Sequence, residues 1–142
     1  MDVRFDDRVA IVTGAGAGLG RCHALLLASR GAKVVVNDPG GSVDGTGGAH
    51  RVADAVVEEI KAAGGQAVAN YNSVADEASA QGIVDTATNT WGRLDILVNN
   101  AGILRDKAFN NMTMADYEFV NQVHHFGTAY CTKAAWPRSE ER

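Results

Sequence analysis

Residues 8 to 20, Arg-Val-Ala-Ile-Val-Thr-Gly-Ala-Gly-Ala-Gly-Leu-Gly, run an apolar, β-branched segment straight into a glycine-rich turn. A strand that breaks into glycines at 14, 18 and 20 can turn sharply, bare its backbone amides and enter a helix whose N-terminus carries partial positive charge. A pyrophosphate is a natural occupant of such a place. The next apolar run, Lys33-Val34-Val35-Val36-Asn37-Asp38, closes on a carboxylate. An acid at the end of the second strand of a βαβ unit accepts hydrogen bonds from the adenosine ribose hydroxyls and repels a 2′-phosphate. Positions 15 to 17 hold no Arg or Lys to greet such a phosphate. The two signals together imply a dinucleotide site using Gly14, Gly18, Leu19, Gly20 and Asp38, with NAD(H) preferred over NADP(H).

The chain has 16 glycines among 142 residues, so a bare glycine pattern is weak evidence and context must carry the assignment. The context agrees: the turn follows a strand, opens the amphipathic stretch Leu19 to Arg30, and that stretch stops at Gly31.

Hydrophobic residues make up 46% of the chain, enough for the core of one domain. A net charge of −4 without a basic run argues against nucleic-acid binding. No apolar stretch reaches the ~20 residues of a membrane span, and Met1-Asp2-Val3-Arg4 does not open like a signal peptide, so a cytoplasmic setting is expected. Cys22 and Cys131 make no metal-ligand spacing and read as two reduced packing residues. No metal site is expected.

Apolar runs alternate with helical patterns throughout. Strands are expected at Val9–Thr13, Val34–Asn37, Ala67–Tyr71 and Leu94–Asn99, and helices at Leu19–Ser29, Ala49–Ala63, Glu77–Trp91 and Met114–Trp136. Continuous apolar strands separated by helices imply an α/β, Rossmann-type, doubly wound parallel sheet, and right-handed crossovers give the order 3-2-1-4. Residues 39–48 read as a glycine-rich insertion beside the adenosine end of the site, either a lid or a plain solvent loop.

A second motif narrows the reading. Asp95-Ile96-Leu97-Val98-Asn99-Asn100-Ala101-Gly102 is a strand ending in two amides and a small-residue turn. Ala101 and Gly102 would let a nicotinamide ribose lie against the backbone, and the Asn99 amide would tie neighbouring strands. With Thr13-Gly14-Ala15-Gly16-Ala17-Gly18-Leu19-Gly20 before it, this motif resembles the short-chain dehydrogenase/reductase family.

Three further stretches, Asn37 to Gly41, Gly64 to Val74 and Ala101 to Asp106, look like the (3R)-hydroxyacyl-CoA dehydrogenase part of multifunctional β-oxidation enzymes. The resemblance implies that Ser73 and Val74 border the adenine ring and that Asn100, Ala101 and Gly102 join the cofactor site. It also places His124 where most of the family has a catalytic asparagine that helps hold a water chain. His124 either shares that role or packs on its helix. The implied substrate is acyl-CoA-like, and the full-length form is expected to be a homo-oligomer.

The family's proton-transfer serine and Tyr-x-x-x-Lys cannot be placed within these residues. Tyr130-Cys131-Thr132-Lys133 has its lysine one position too early and falls within an expected helix, so Tyr130 and Lys133 read as ordinary helix residues. The resemblance runs to Trp136. Residues 1–142 are therefore expected to form the cofactor-binding part of a sheet cut after four strands, with Ile96 and Val98 on an open edge. Two functions follow: an NAD-dependent oxidoreductase in the full-length form, or an NAD(H)- or partner-binding stretch without turnover.

Overall fold

The computed structural model describes residues 3–41 and 51–139. Four strands, β1 (Val9–Thr13), β2 (Lys33–Asn37), β3 (Gln66–Asn70) and β4 (Ile96–Val98), form one sheet in the order β3-β2-β1-β4. All three pairings are parallel, with Ile11 opposite Val35 and Leu97, and Val35 opposite Val68. The expected fold class and strand order are both present. The helices are α1 (Gly18–Ser29), α2 (Arg51–Ala62), α3 (Glu77–Trp91), α4 (Met114–Asn121) and α5 (Gly127–Ser139). A π-helical segment, Gln122–Phe126, joins α4 to α5 where one unbroken helix was expected.

Strand periodicity builds two cores. Ala10, Val12, Val34 and Val36 face α1 and α2, meeting Ala24, Ala28, Ala53, Val56 and Ile60. Val9, Ile11 and Val35 face the other way onto Ala80, Ile83, Val84 and Ala87 of α3 and Cys131 of α5. Every residue of β1 is buried, as a strand covered on both faces must be. Local signals fix α3 at both ends: the Asp76 carboxylate accepts the Ser79 N–H at 2.7 Å, and Gly92 closes the helix with φ 76°.

The amino-terminal ends of β1 and β4 are held by one carboxylate. Asp95, its side chain 2% exposed, accepts the Val9 N–H at 2.9 Å and pairs with Arg8 and Arg93. That anchoring leaves the carboxyl ends of the strands to build a site. β4 forms one edge of the sheet, with Ile96, Leu97 and Val98 half-buried. The two cysteines differ from expectation: Cys131 is a core residue, but Cys22 is exposed. Residues 42–48 of the expected glycine-rich insertion and the start of the expected helix at Ala49 lie outside the described residues.

Candidate functional site

Parallel strands put all their carboxyl ends on one side, and the chain reverses its direction of winding between β1 and β4. A cleft of about 450 Å³ opens there, walled by the glycine turn, the ends of β2 and β3, the turn after β4, and α4.

Three glycines shape the turn in different ways. Gly14 has φ 62°, and a Cβ on it would stand 2.8 Å from Ala101 Cα. A Cβ on Gly20 would lie 2.2 Å from the Gly14 carbonyl oxygen and 2.4 Å from Asn100 Nδ2, so a hydrogen there is what lets α1 start against β1. Gly18, at φ 54°, has open space where its Cβ would be. Among the described residues no side chain caps the start of α1 and no acid lies in its first turn, so its first amides are left open to an anion.

Thr13 and Asn100 lock this turn to the end of β4. Thr13 Oγ1 accepts the backbone N–H groups of Asn100 at 3.1 Å and Ala101 at 3.0 Å. In return Asn100 Nδ2 donates to the carbonyls of Thr13 at 3.0 Å and Gly14 at 3.1 Å. The strand-tying amide is thus Asn100, which corrects the reading of Asn99. The chain leaves the sheet after Val98, and Asn99 turns outward, donating to Thr132 Oγ1 on α5 at 3.0 Å.

Asp38 stands at the opposite wall, its carboxylate fixed by backbone. Oδ2 accepts the Gly16 N–H at 2.9 Å and Oδ1 the Gly40 N–H at 2.8 Å. Each oxygen keeps a lone pair for a further donor. A Cβ on Gly16 would come within 2.8 Å of that carboxylate, so the glycine turn and the acid are built to touch.

Of the residues expected at the site, Gly14, Gly18, Asp38, Ser73, Val74, Asn100, Ala101 and Gly102 line the cleft together. Leu19 is 73% exposed and is not among the residues lining the cleft, and Gly20 acts behind the wall. Asn37, Gly40, Gly41, Ile103, Phe119 and Val123 line it too and were not singled out from sequence. For Phe119 and Val123 the i, i+4 spacing on one helix face was the available signal.

His124 lies on the π-helical segment, against the turn after β4. Its Nε2 is 3.0 Å from the Ile103 nitrogen and 2.9 Å from the Ile103 oxygen, and Cε1 occupies the space beside Gly102. One ring nitrogen can accept the amide or donate to the carbonyl, depending on the tautomer. His124 therefore buttresses the backbone of the cleft wall from outside it. Nearby, Arg105 and Lys107 both pair with Asp116, at 2.9 and 2.8 Å, and Thr113 donates to the same carboxylate. The Lys107 contact first, then Thr113, holds Asp116 well below the usual carboxylate range and ties the loop after β4 to α4. Tyr130 packs on the core and Lys133 pairs with Glu77 of α3 at 2.9 Å.

A family model described as short chain dehydrogenase matches residues 8–142. The chain is 58% identical over 135 residues to the peroxisomal multifunctional enzyme type 2 of Drosophila melanogaster, covering 95% of this chain and 22% of that protein. It superposes on a short chain dehydrogenase from Mycobacterium avium with a TM-score of 0.86 and 48% identity, over 95% of this chain and 47% of that one. A 7α-hydroxysteroid dehydrogenase, solved with NADH and a 7-oxo bile acid, gives a TM-score of 0.86 at 36% identity, over 97% of this chain and 50% of that one. The chain thus spans about a fifth of the fly enzyme's length and about half of each of the two dehydrogenases.

These relatives overturn the cytoplasmic setting expected from sequence. Similar proteins of Drosophila melanogaster, Dictyostelium discoideum, Saccharomyces cerevisiae and Mus musculus are all named peroxisomal enzymes. Charge and fold do not encode a compartment, because such addresses are short signals read by receptors. With the glycine turn, the acid-ended second strand and the Asn-Asn-Ala-Gly turn meeting at one cleft, and with the family match spanning nearly every residue, the chain belongs to the short-chain dehydrogenase family.

Proposed function

We propose that residues 1–142 form the NAD(H)-binding part of an oxidoreductase acting on secondary alcohols or ketones, with a 3-hydroxyacyl thioester as the substrate class. The observation that carries this reading is the Asp38 carboxylate, held by the Gly16 and Gly40 amides at the mouth of the glycine turn. A fixed carboxylate with lone pairs to spare suits a ribose diol and opposes a 2′-phosphate. The open space over Gly18 fits a pyrophosphate drawn close to backbone.

In this reading Gly14 and Gly18 admit the pyrophosphate, the α1 amides meet its charge, and Asp38 holds the adenosine ribose. Ser73 and Val74 border the base, while Asn100, Ala101 and Gly102 form the floor at the nicotinamide end. The cofactor supplies hydride exchange at nicotinamide C4, and the chain supplies orientation. His124 keeps that floor in place through Ile103. The thioester class fits the yeast relative's name, a peroxisomal hydratase-dehydrogenase-epimerase, since a hydratase installs the hydroxyl that a dehydrogenase then oxidises. A peroxisomal setting and a homo-oligomeric full-length form belong to the same proposal.

For these residues taken alone, a second reading is favoured: binding without turnover. Tyr130 is committed to core packing and Lys133 to Glu77, so neither is placed to pass a proton to a substrate oxygen. The test is NADH formation, followed by absorbance, with NAD and either 3-hydroxyacyl-CoA or a steroid alcohol. The proposal expects the full-length protein to prefer the thioester and residues 1–142 to show only background. Preference for the steroid would overturn the substrate class, and turnover by residues 1–142 would overturn the division of labour.

A further inference from the structure

Three consecutive residues of the π-helical segment bear on the cleft in three different ways. Val123 lines it, while its two neighbours reach away to separate loops. Gln122 Nε2 donates to the Ala75 carbonyl at 2.7 Å, in the loop that follows β3. His124 Nε2 meets the Ile103 backbone at 2.9 and 3.0 Å, in the turn that follows β4. Neither Gln122 nor Ala75 is among the residues lining the cleft. A carbonyl oxygen only accepts, so the Gln122 carboxamide has one orientation, with its nitrogen toward Ala75.

The loop that Gln122 holds is closely made. Ser73 Oγ accepts the Ala75 N–H at 3.1 Å, Ser73 and Val74 line the cleft, and Asp76 caps α3 immediately afterwards. Fixing the Ala75 carbonyl therefore fixes the backbone next to Val74. Gly127 donates its N–H to the Gln122 carbonyl and so closes the π turn. A Cβ on Gly127 would stand 2.8 Å from Val74 Cγ2 and 3.3 Å from the Val74 carbonyl oxygen, so the turn and the loop are in direct contact. π-Helical turns are rare inside longer helices and concentrate at functional sites, because contacts outside the helix hold them there. Here those contacts are the two loops.

We infer that the π-helical segment is a brace that holds the loop after β3 and the turn after β4 at the spacing a dinucleotide needs, with Gln122 as a positioning residue acting through Ala75. This rests on the cofactor reading above and goes beyond it. Two loops at the ends of different strands do not keep one spacing by themselves; a single turn hydrogen-bonded to both imposes it. Without the Gln122 bond the free protein spends part of its time with Val74 displaced. Apparent affinity then falls in proportion to the fraction that remains competent to bind. The brace acts before the ligand arrives, so its loss slows binding without removing any contact to the ligand.

The test is stopped-flow binding of NADH, followed by its fluorescence, to the purified native protein and to Gln122→Met, under conditions where circular dichroism shows both folded. Methionine keeps the length of the side chain and removes the donor. The variant is expected to bind roughly two- to tenfold more weakly, as loss of one neutral hydrogen bond gives. The loss should lie in slower association, with dissociation unchanged, which a side chain that only adds stability would not produce in folded protein. If the variant does not fold, nitrogen-15-labelled native protein decides the matter: the Gln122 side-chain amide resonances should move on addition of NADH together with the Val74 backbone amide, although Gln122 lies outside the cleft lining. Unchanged affinity in the folded variant, a loss carried by faster dissociation, or Gln122 resonances that stay still while Val74 moves would overturn the brace and leave the cofactor reading intact. Failure of native protein to bind NADH would overturn the cofactor reading, and the brace with it.

Discussion

The Thr13 hydroxyl accepts the backbone N–H groups of both Asn100 and Ala101, at 3.1 and 3.0 Å, while the Asn100 side chain returns two hydrogen bonds to the carbonyls of Thr13 and Gly14. This reciprocal clasp joins residues far apart in the chain at the point where two walls of the cleft meet. Thr13 is 1% exposed, so its hydroxyl depends on these partners rather than on water. Replacing the hydroxyl by a methyl in Thr13→Val strands the Ala101 N–H and leaves the Asn100 N–H only the Val98 carbonyl at 3.0 Å, at a cost of about 1–3 kcal/mol. Urea unfolding should show that loss, and Thr13→Ser, which keeps the oxygen, should recover most of it. Equal destabilisation by both would mean that packing, and not the clasp, fixes the turn.

Gly20 and Gly18 should separate stability from binding. A methyl on Gly20 meets the Gly14 carbonyl at 2.2 Å, and such overpacking costs about 1–3 kcal/mol. A methyl on Gly18 meets nothing, and its left-handed φ of 54° adds about 1–2 kcal/mol of strain. Gly20→Ala should therefore lower the urea midpoint more, whereas Gly18→Ala should lose more dinucleotide affinity than its stability change explains. Parallel unfolding and calorimetric series would check the crossing; variants ranked alike in both would deny it.

The two cysteines should differ in reactivity. Burial pushes the Cys131 thiol up to about 11, while Cys22 is exposed on α1. The thiolate is the reactive form, so iodoacetamide at about pH 8 should label Cys22 and spare Cys131 until the protein is unfolded. Peptide mass spectrometry reads the result directly. Early labelling of Cys131 would mean that the packing of α5 on α3 opens readily.

Acid should loosen the loop after β4. Asp116 is held below its ordinary value of 3.8 by Lys107, Thr113 and Arg105, so its contribution is complete above that ordinary value and is lost as pH falls through the lowered one. Stability measured against pH for native protein and Asp116→Asn should differ by a constant amount near neutrality. The gap should narrow only on the acid side of about pH 4, the free carboxyl range. A gap that narrows on the alkaline side would contradict the assignment.

Much of the fold was legible because its signals are local. β1 and α3 have the bounds expected, one from an unbroken apolar run ending in glycine, the other from the Asp76 cap and the Gly92 stop. β4 shortened to Ile96–Val98 because both flanks have other partners: Asp95 serves Val9 and two arginines, and Asn100 turns back to Thr13. Which of two adjacent asparagines does the tying depends on where the strand ends, and no local pattern states that. The π-helical segment under His124 is equally silent in sequence, since it answers to contacts with the Gly102–Ile103 backbone. Asn37 stayed hidden for the same reason. Its partners are set only when β2, β3 and α3 bring the side chains of Asn37, Asn70 and Thr86 together.

The central claim is that this cleft takes NAD(H) through Asp38, and calorimetric titration of NAD and NADP into native protein and Asp38→Ala tests it most directly. Native protein should bind NAD more tightly than NADP by roughly tenfold or more, equivalent to ~1.4 kcal/mol. Asp38→Ala should weaken NAD, improve NADP relative to it, and leave the fold unchanged by circular dichroism. Tighter binding of NADP by the native protein, or a preference that survives the loss of the Asp38 carboxylate, would contradict the account.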